Sequence, residues 1–341
     1  MRYHAKRIGQ SVLTLFVVVT ITFFMYRLLP GGPLELMRQQ LLQDMANQGT
    51  GQGNMQEVNR LIELYTGFQP DAPLYVQYYN YIKDIVLYQD FGKSIWQNEP
   101  VFDILFKAMP WSIYVSVYGL VLGFSTNVLL GAFMAYHEGS RFDSGMTGII
   151  VAANSVPYYA AAIFVLIVFS YQLGWFPIAG RYGPATTPGF NLEFMLSVVH
   201  HSILPIFTGF VVGFGGGALG MRGNSVRILG EDYVRSARLR GLSSRLIAAR
   251  YVGKNAILPM YTGLMIGLAG IFSSSVIMEQ IFTYPGVGWY TFGALENRDY
   301  PLLLGSFIFF TAITITGITI ADMTYSLIDP RIESGGEDEA F

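Results

Sequence analysis

Residues 231–259 read EDYVRSARLRGLSSRLIAARYVGKNAILP, and what needs explaining is why positive charge collects there. Only 21 of the 341 residues are Lys or Arg, and eight of these lie between Arg222 and Lys254. Charge-free apolar runs flank the segment, Ser202–Met221 before it and Asn255–Met278 after it. Runs of about 20 residues are long enough to cross a hydrocarbon core of ~30 Å. The basic stretch therefore reads as a loop joining two membrane helices.

Working outward, four more such runs occur: Ile8–Tyr26, Trp111–Tyr136, Ser144–Tyr171 and Pro301–Ala321. The composition agrees, with 52% hydrophobic and 13% charged residues, against a charged share of about 25% in soluble domains. The fold class expected is an all-α membrane protein with six transmembrane helices. Absence of Cys excludes a disulfide framework, a thiolate nucleophile and Cys-ligated metal. The first run follows the basic start MRYHAKR, but it is long for a secretory signal, and FFMYRLLPGG offers no small-x-small cleavage site. It reads as a retained helix, with Arg27 snorkelling to the far interface.

Short loops set the orientation. One side carries residues 1–7 with three Lys/Arg, 137–143 with one, 222–254 with eight, and Arg331. The positive-inside rule places that side, both termini included, in the cytoplasm. Residues 30–110, with five Lys/Arg against nine Asp/Glu, then lie outside or in a periplasm. The expected organisation is a cytoplasmic stub and first helix (1–29), an external segment (30–110), a five-helix core (111–328) containing the cytoplasmic loop 222–258, and an acidic cytoplasmic tail (329–341). Within the external segment, RQQLLQDMANQGTGQGNMQEVNR reads as a flexible polar excursion. The following YVQYYNYIKDIVLYQDFGKSIW has helical spacing and suggests short helices at the outer membrane surface, serving as a cap or as a landing surface for a partner. Pro157 and Pro205 are expected to kink their helices or to start them irregularly.

Within the basic loop, Glu231 and Asp232 favour a helix start, Gly241 can end that helix in the left-handed conformation, and Ser243 or Ser244 can cap the next. Such a helix–Gly–helix hairpin suits docking in a partner's groove. It equally suits a topology signal whose Arg residues touch lipid phosphates.

Other motifs carry less. FGKS at 91–94 lacks the Gly that a phosphate loop needs at position 87, where Leu87 stands. GFGGGALG at 213–220 contains G-x-G-x-x-G but is expected to sit inside an apolar helix, and small residues at spacing four there read as close helix packing. The four His (His4, His137, His200, His201) form no metal motif, and no nucleophile elbow occurs. Acidic groups near the spans are Glu279, after the polar run Ser273, Ser274 and Ser275, and Asp322. A carboxylate in hydrocarbon must face protein or a water-filled path, so Ser273, Ser274, Ser275 and Glu279 are translocation-path candidates. Glu279 alternatively anchors the Pro285–Gly286 loop.

The loop resembles the cytoplasmic loop of ABC-importer permeases, roughly E-A-A-x-x-x-G followed by L-P. Here the slots hold Arg235, Ser236, Ala237 and Gly241, with Leu258–Pro259 downstream. Departures in the first two slots and a longer Gly-to-Pro distance, together with DYVRSARLRGL, resemble the oligopeptide/dipeptide/nickel branch. So do RLLPGGP (27–33), DFGKSI (90–95), WFPIAGR (175–181), YPGVGWY (284–290), RDYPLLLG (298–305) and DPR (329–331). Residues 38–65 fit no such motif and look like an extracellular insertion after the first helix.

The resemblance implies a type I ABC-importer permease-like bundle in a cell (inner or plasma) membrane. Tyr233, Arg235, Ser236, Ala237, Arg240, Gly241 and Leu242 would form its ATPase-coupling loop. Implied partners are a paralogous second permease, two cytoplasmic ABC ATPases and an external solute-binding protein, with the lipid bilayer around them and no nucleic acid. The chain itself would bind no cofactor and hydrolyse nothing, ATP and Mg being used by the ATPases. Peptides, nickel complexes or oligosaccharides are the solutes such a resemblance suggests. The competing readings are a stand-alone secondary transporter or channel, which should show mid-membrane carboxylates and an internal repeat, and an intramembrane enzyme.

Overall fold

The computed structural model describes residues 2–28, 33–47, 55–66, 72–270 and 276–328. Among them the regular structure is helical apart from one isolated bridge, Lys93–Pro100. In chain order the helices are α1 (Arg2–Leu28), α2 (Pro33–Asn47), α3 (Met55–Thr66), α4 (Leu74–Lys83) with a π-turn extension Asp84–Tyr88, and α5 (Val101–Tyr136). Next come α6 (Arg141–Asn154), α7 (Tyr158–Val165) with a π extension Leu166–Gln172, α8 (Leu192–Val212), α9 (Gly216–Leu229) and α10 (Asp232–Leu239). The last are the turn α11 (Ser244–Leu246) leading through π-helical Ile247–Gly253 into α12 (Lys254–Gly270), then α13 (Val276–Ile281), α14 (Val287–Glu296) and α15 (Tyr300–Ile328). Four of these are long and apolar enough to cross a membrane, over Lys6–Met25, Val101–Tyr136, Leu192–Val212 and Tyr300–Ile320; the bent pair α6–α7 makes a fifth. α12 spans 17 residues up to Gly270.

The chain divides into two compact units. The first comprises Met1–Ser112, Phe272–Val276 and Pro285–Ile320; the second comprises Ile113–Ile271, Ile277–Tyr284 and Ala321–Phe341. In the first unit the polar excursion expected at 38–60 is not a loop where it is described. It contributes most of α2 and the start of α3, where Val58 is buried and Leu41, Leu42 and Met45 are partly buried around Phe23 of α1, beside the flanking Leu34, Met37 and Ile62. The Gln and Asn residues set the average polarity, but apolar side chains at helical spacing decide the structure. Each full burial of this kind contributes about 1.5–3 kcal/mol. Arg27 does not simply snorkel: its Nε donates to Gln77 Oε1 at 2.9 Å, and Gln77 Nε2 donates to the Ala72 carbonyl at 2.7 Å.

A second core in this unit joins α5 to α14 and α15 through Val101, Leu105, Ala108, Val287, Ala294 and Leu302. Beside it, two segments far apart in sequence meet. The fully buried carboxylate of Asp299 accepts from Ser94 Oγ at 2.5 Å, Trp96 N at 3.0 Å and Leu302 N at 3.1 Å. The last is an N-cap contact to α15. Three donors satisfy a charge that would otherwise be costly to bury. Gly92, at φ +86°, passes so near α3 that a Cβ would lie 2.5 Å from the Tyr65 carbonyl oxygen, while Lys93 N donates to that oxygen at 2.7 Å. The DFGKSI and RDYPLLLG segments are thus parts of one buried joint.

In the second unit two spans are broken, one at Pro157, where a kink or irregular start was expected. α6 ends at Asn154, Pro157 sits at the N-cap of α7, and the two axes differ by 91°. Proline fixes its own φ and disfavours helix in the residue before it. Pro205 behaves otherwise. α8 starts at Leu192, ten residues before the expected span, and runs through the buried Pro205. The fourth span instead breaks at Gly213–Gly215, where Gly215 has φ +66° and starts α9. The expectation that GFGGGALG lies inside one helix fails here. Gly costs about 1 kcal/mol in a helix interior relative to Ala, and it alone enters the left-handed region freely.

Candidate functional site

The basic loop folds as a closed hairpin. Glu231 precedes α10 and Asp232 occupies its first turn, where negative charge is favourable against the helix dipole. The far end of α10 is a Schellman motif. Gly241, at φ +72°, donates its N–H to the Arg238 carbonyl at 2.9 Å, and Leu242 N donates to the Ala237 carbonyl at 3.3 Å. Ser243 then caps the next helical turn, accepting from Leu246 N at 3.4 Å. Local chemistry therefore sets each end of the hairpin.

One face of the hairpin is buried. Val234 and Ala237 of α10 pack with Ile247 and Val252, with Ala256 of α12, and with Met221 and Ile228 of α9. Leu242 packs against the same cluster. The other face is exposed: Tyr233, Arg235, Ser236, Arg240 and Gly241 are all accessible, and Leu239 is 83% exposed. Tyr233 is steadied by Asn255, whose Nδ2 donates to the phenol oxygen at 3.2 Å. Of the seven residues singled out in the sequence, Ala237 and Leu242 serve the hairpin's interior, and five stand on its open side.

α9 is also fastened laterally. Arg222 Nε and Nη2 each donate at 2.6 Å to the two carboxylate oxygens of Asp143, a bidentate pair in which Asp143 is buried. Asp143 in turn accepts from Gly139 N at 3.1 Å. Gly131 of α5 would place a Cβ 2.4 Å from the Ala218 carbonyl oxygen, so the α5 and α9 backbones touch.

The same helices reach a cavity of about 680 Å³ in the second unit, lined by α5, the α8–α9 break and α12. Its walls include Gly119, Gly123, Gly209, Gly213, Gly217, Gly220, Gly263 and Gly267, with Ser116, Thr126 and Asn127 as the polar side chains and no charged one. α9 gives Gly217 and Gly220 to the cavity and Met221 and Ile228 to the hairpin core; α12 gives Pro259 and Gly263 to the cavity and Ala256 to that core. Two rigid elements thus connect hairpin and cavity directly.

Sequence reading did not find this cavity. Its signal was present as glycine pairs at spacing four in three separate segments (119/123, 209/213/217 and 263/267), but only the middle one was read, and as helix packing. That reading holds for Gly217, where a Cβ would meet Asn127 Nδ2 at 2.8 Å; Gly119, Gly123, Gly209 and Gly263 have open space instead.

Among the path candidates, Ser273, Ser274 and Ser275, and the side chain of Asp322, lie outside the described residues. Glu279 is fully buried in the second unit, does not line the cavity, and receives Tyr284 N on its main-chain carbonyl at 2.7 Å. Arg181, Glu279 and Tyr114 lie near enough to Tyr284 to act on it electrostatically, and burial pushes the Tyr284 phenol up. Among the described residues no group of three or more His, Asp or Glu is placed to hold a metal ion.

Long apolar helices, a basic hairpin with one open face and a small-residue cavity tied to it define a multi-pass membrane transport subunit. Residues 127–334 match the family described as binding-protein-dependent transport system inner membrane component, and the chain belongs to that family. It is similar to the dipeptide transport system permease protein DppB of Bacillus subtilis, 29% identical over 333 residues that cover 97% of this chain and 98% of the relative. The di/tripeptide permease DppB of Pseudomonas aeruginosa is 28% identical over 345 residues (97% and 98%). The oligopeptide permease OppB of Haemophilus influenzae is 28% identical over 333 residues (97% and 99%). The chain is accordingly the membrane permease subunit of a binding-protein-dependent ABC importer, a transport component working with ATPase and solute-binding partners rather than an enzyme.

Proposed function

We propose that the importer carries peptides, and that the hairpin at Asp232–Leu242 is the point where a cytoplasmic ATPase pushes on the path. The single observation carrying the coupling role is the shared use of α9 and α12 by the hairpin core and by the cavity. Displacement of a well-packed hairpin must move both helices, because close-packed interiors transmit strain rather than absorb it. ATP binding and hydrolysis at the partners would then bias a two-state cavity. Tyr233, Arg235, Ser236, Arg240 and Gly241 meet the ATPase, while Ala237 and Leu242 hold the hairpin together.

Peptide as cargo is supported by the names of the relatives and by the uncharged, glycine-lined wall, which imposes no side-chain charge preference. The full assembly contains six spans per chain, with the fifth built on α12, both termini and residues 222–258 in the cytoplasm, and residues 30–110 outside. Its domains are 1–29, 30–110, 111–328 and the tail 329–341. A paralogous second permease closes the open side of the path, and two ATPases bind below, using ATP and Mg. Burial of Glu279 away from the cavity supports a structural role over contact with cargo.

The test is purification of the tagged chain from its native membrane. Stoichiometric ATPases and a second permease, with peptide-stimulated ATP hydrolysis after reconstitution with the binding protein, are expected. A chain that purifies alone and transports without ATP refutes the reading.

A further inference from the structure

α4 poses a problem that the transport function does not answer: both of its long faces are apolar. Its inner face packs on α1. The Tyr78 ring lies 5.2 Å from that of Phe23 and stacks at 5.9 Å on Phe24, and Tyr81 lies 5.3 Å from Phe23. Its outer face carries Tyr75, Tyr79, Ile82 and Val86, at spacings of four, three and four that make one helical stripe. Tyr75 is 75% exposed, and Tyr79 and Val86 are each 67% exposed. Leu87 and Tyr88 extend the patch. Contiguous exposed apolar surface of this kind marks a contact with a partner or a membrane.

The attachment to α1 decides which. Thr20 Oγ1 donates to the Phe16 carbonyl at 2.8 Å, so the Tyr78 hydroxyl 2.8 Å away is the donor to Thr20. Thr20 lies within the apolar span Lys6–Met25, five residues before its end. At 1.5 Å rise per residue this is about 7–8 Å inside the span's end. The second fastening, Arg27 to Gln77, is two residues beyond that end. α4 therefore crosses α1 between a level just outside the apolar span and a level within it. Amphipathic helices at a membrane surface sit with their apolar face ~5–10 Å into the headgroup–acyl boundary, and Tyr is favoured there because its ring is apolar and its hydroxyl is wet.

We propose that α4 and its π extension lie sidelong in the bilayer interface, with Tyr75, Tyr79, Ile82 and Val86 against lipid. Phe16, Val17, Ile21 and Phe24 of α1, the helix to which α4 is fastened, are exposed as well. The four stripe residues carry no charge, so their contact is with the acyl boundary of the phospholipid, while Lys83, whose ammonium lies 5.6 Å from the Tyr88 ring centroid, stands at the edge of the patch. The segment fixes the rotation and depth of α1 by holding it from the membrane plane. This holds whatever the solute, and its test does not depend on transport.

The chain has no Cys, which allows single spin labels at Tyr75→Cys and Tyr79→Cys in the assembled transporter, its partners made cysteine-free, in phosphatidylcholine vesicles. Phe16→Cys serves as the lipid reference and Arg60→Cys as the aqueous one. Collisions with oxygen should exceed those with a water-soluble nickel chelate by about threefold or more at both stripe positions, as at Phe16, with the reverse at Arg60. Dominant nickel collisions would mean that the stripe faces water. Low collisions with both reagents would mean that a protein covers it. Either result overturns the proposal. If Tyr79→Cys fails to assemble, Tyr75→Cys and Val86→Cys carry the same reading.

Discussion

Replacing Gly241 with Ala isolates the geometry of the hairpin turn. Gly241 sits at φ +72°, and a Cβ there would have no neighbour within 4 Å. The substitution therefore meets no clash within the protein, and its whole cost is that of holding an L-residue in the left-handed region, about 1–2 kcal/mol. If the turn relaxes instead, the bonds from Gly241 N to Arg238 and from Leu242 N to Ala237 are lost. The buried set Val234, Ala237, Ile247 and Val252 remains, so the chain should still insert and assemble. A penalty of this size lowers the ratio of competent to relaxed hairpin roughly 5–30-fold, and peptide uptake should fall by up to that factor, the full drop requiring that the two forms be close in energy. Asn and Asp both tolerate the left-handed region better than Ala. Gly241→Asn should therefore keep most uptake, while Gly241→Asp adds a negative charge beside Arg240 and should lose it through weakened docking. The assay is reconstitution with the ATPases and binding protein, following uptake and peptide-stimulated ATP hydrolysis together. Normal coupling in both the Ala and the Asp proteins would refute the reasoning.

Removing the Asp299 carboxylate strands three donors. Asp299→Ala should cost roughly 1–3 kcal/mol for each stranded donor and lower the thermal midpoint in detergent clearly, and an unchanged midpoint would show that water or a neighbour takes over. Ser243→Cys should react with a membrane-impermeant maleimide only in inverted vesicles, and Met55→Cys only in intact cells. Labelling of Ser243→Cys in intact cells refutes the cytoplasmic hairpin. Glu279→Gln keeps size and most hydrogen bonds. Because the residue is buried away from the cavity, uptake should show no new dependence on ionic strength, while a loss greatest at low salt, where screening is weakest, would return Glu279 to the path.

Much of the chain was legible from local chemistry. Apolar run length identified the membrane class, because the bilayer imposes a length and forbids unpaired backbone. The hairpin was legible because its signals act over four or five residues: acidic residues at the start, Gly241 at the end, Ser243 at the next cap. The break at Pro157 was legible for the same reason.

Tertiary packing decided the rest. Whether GFGGGALG continues or breaks a helix depends on Ile150 and Asn154 being close beside Gly215 and Gly216, contacts no local rule contains. α2 and α3 looked like a loop because composition averages over faces, whereas burial against Phe23 acts on one. Ser94 and Asp299 stand in two separate motifs, 205 positions apart, and nothing local says that they meet. The cavity is the extreme case. A glycine's neighbours determine whether it admits another helix or leaves space, so the same spacing of four yields a contact at Gly217 and an opening at Gly209.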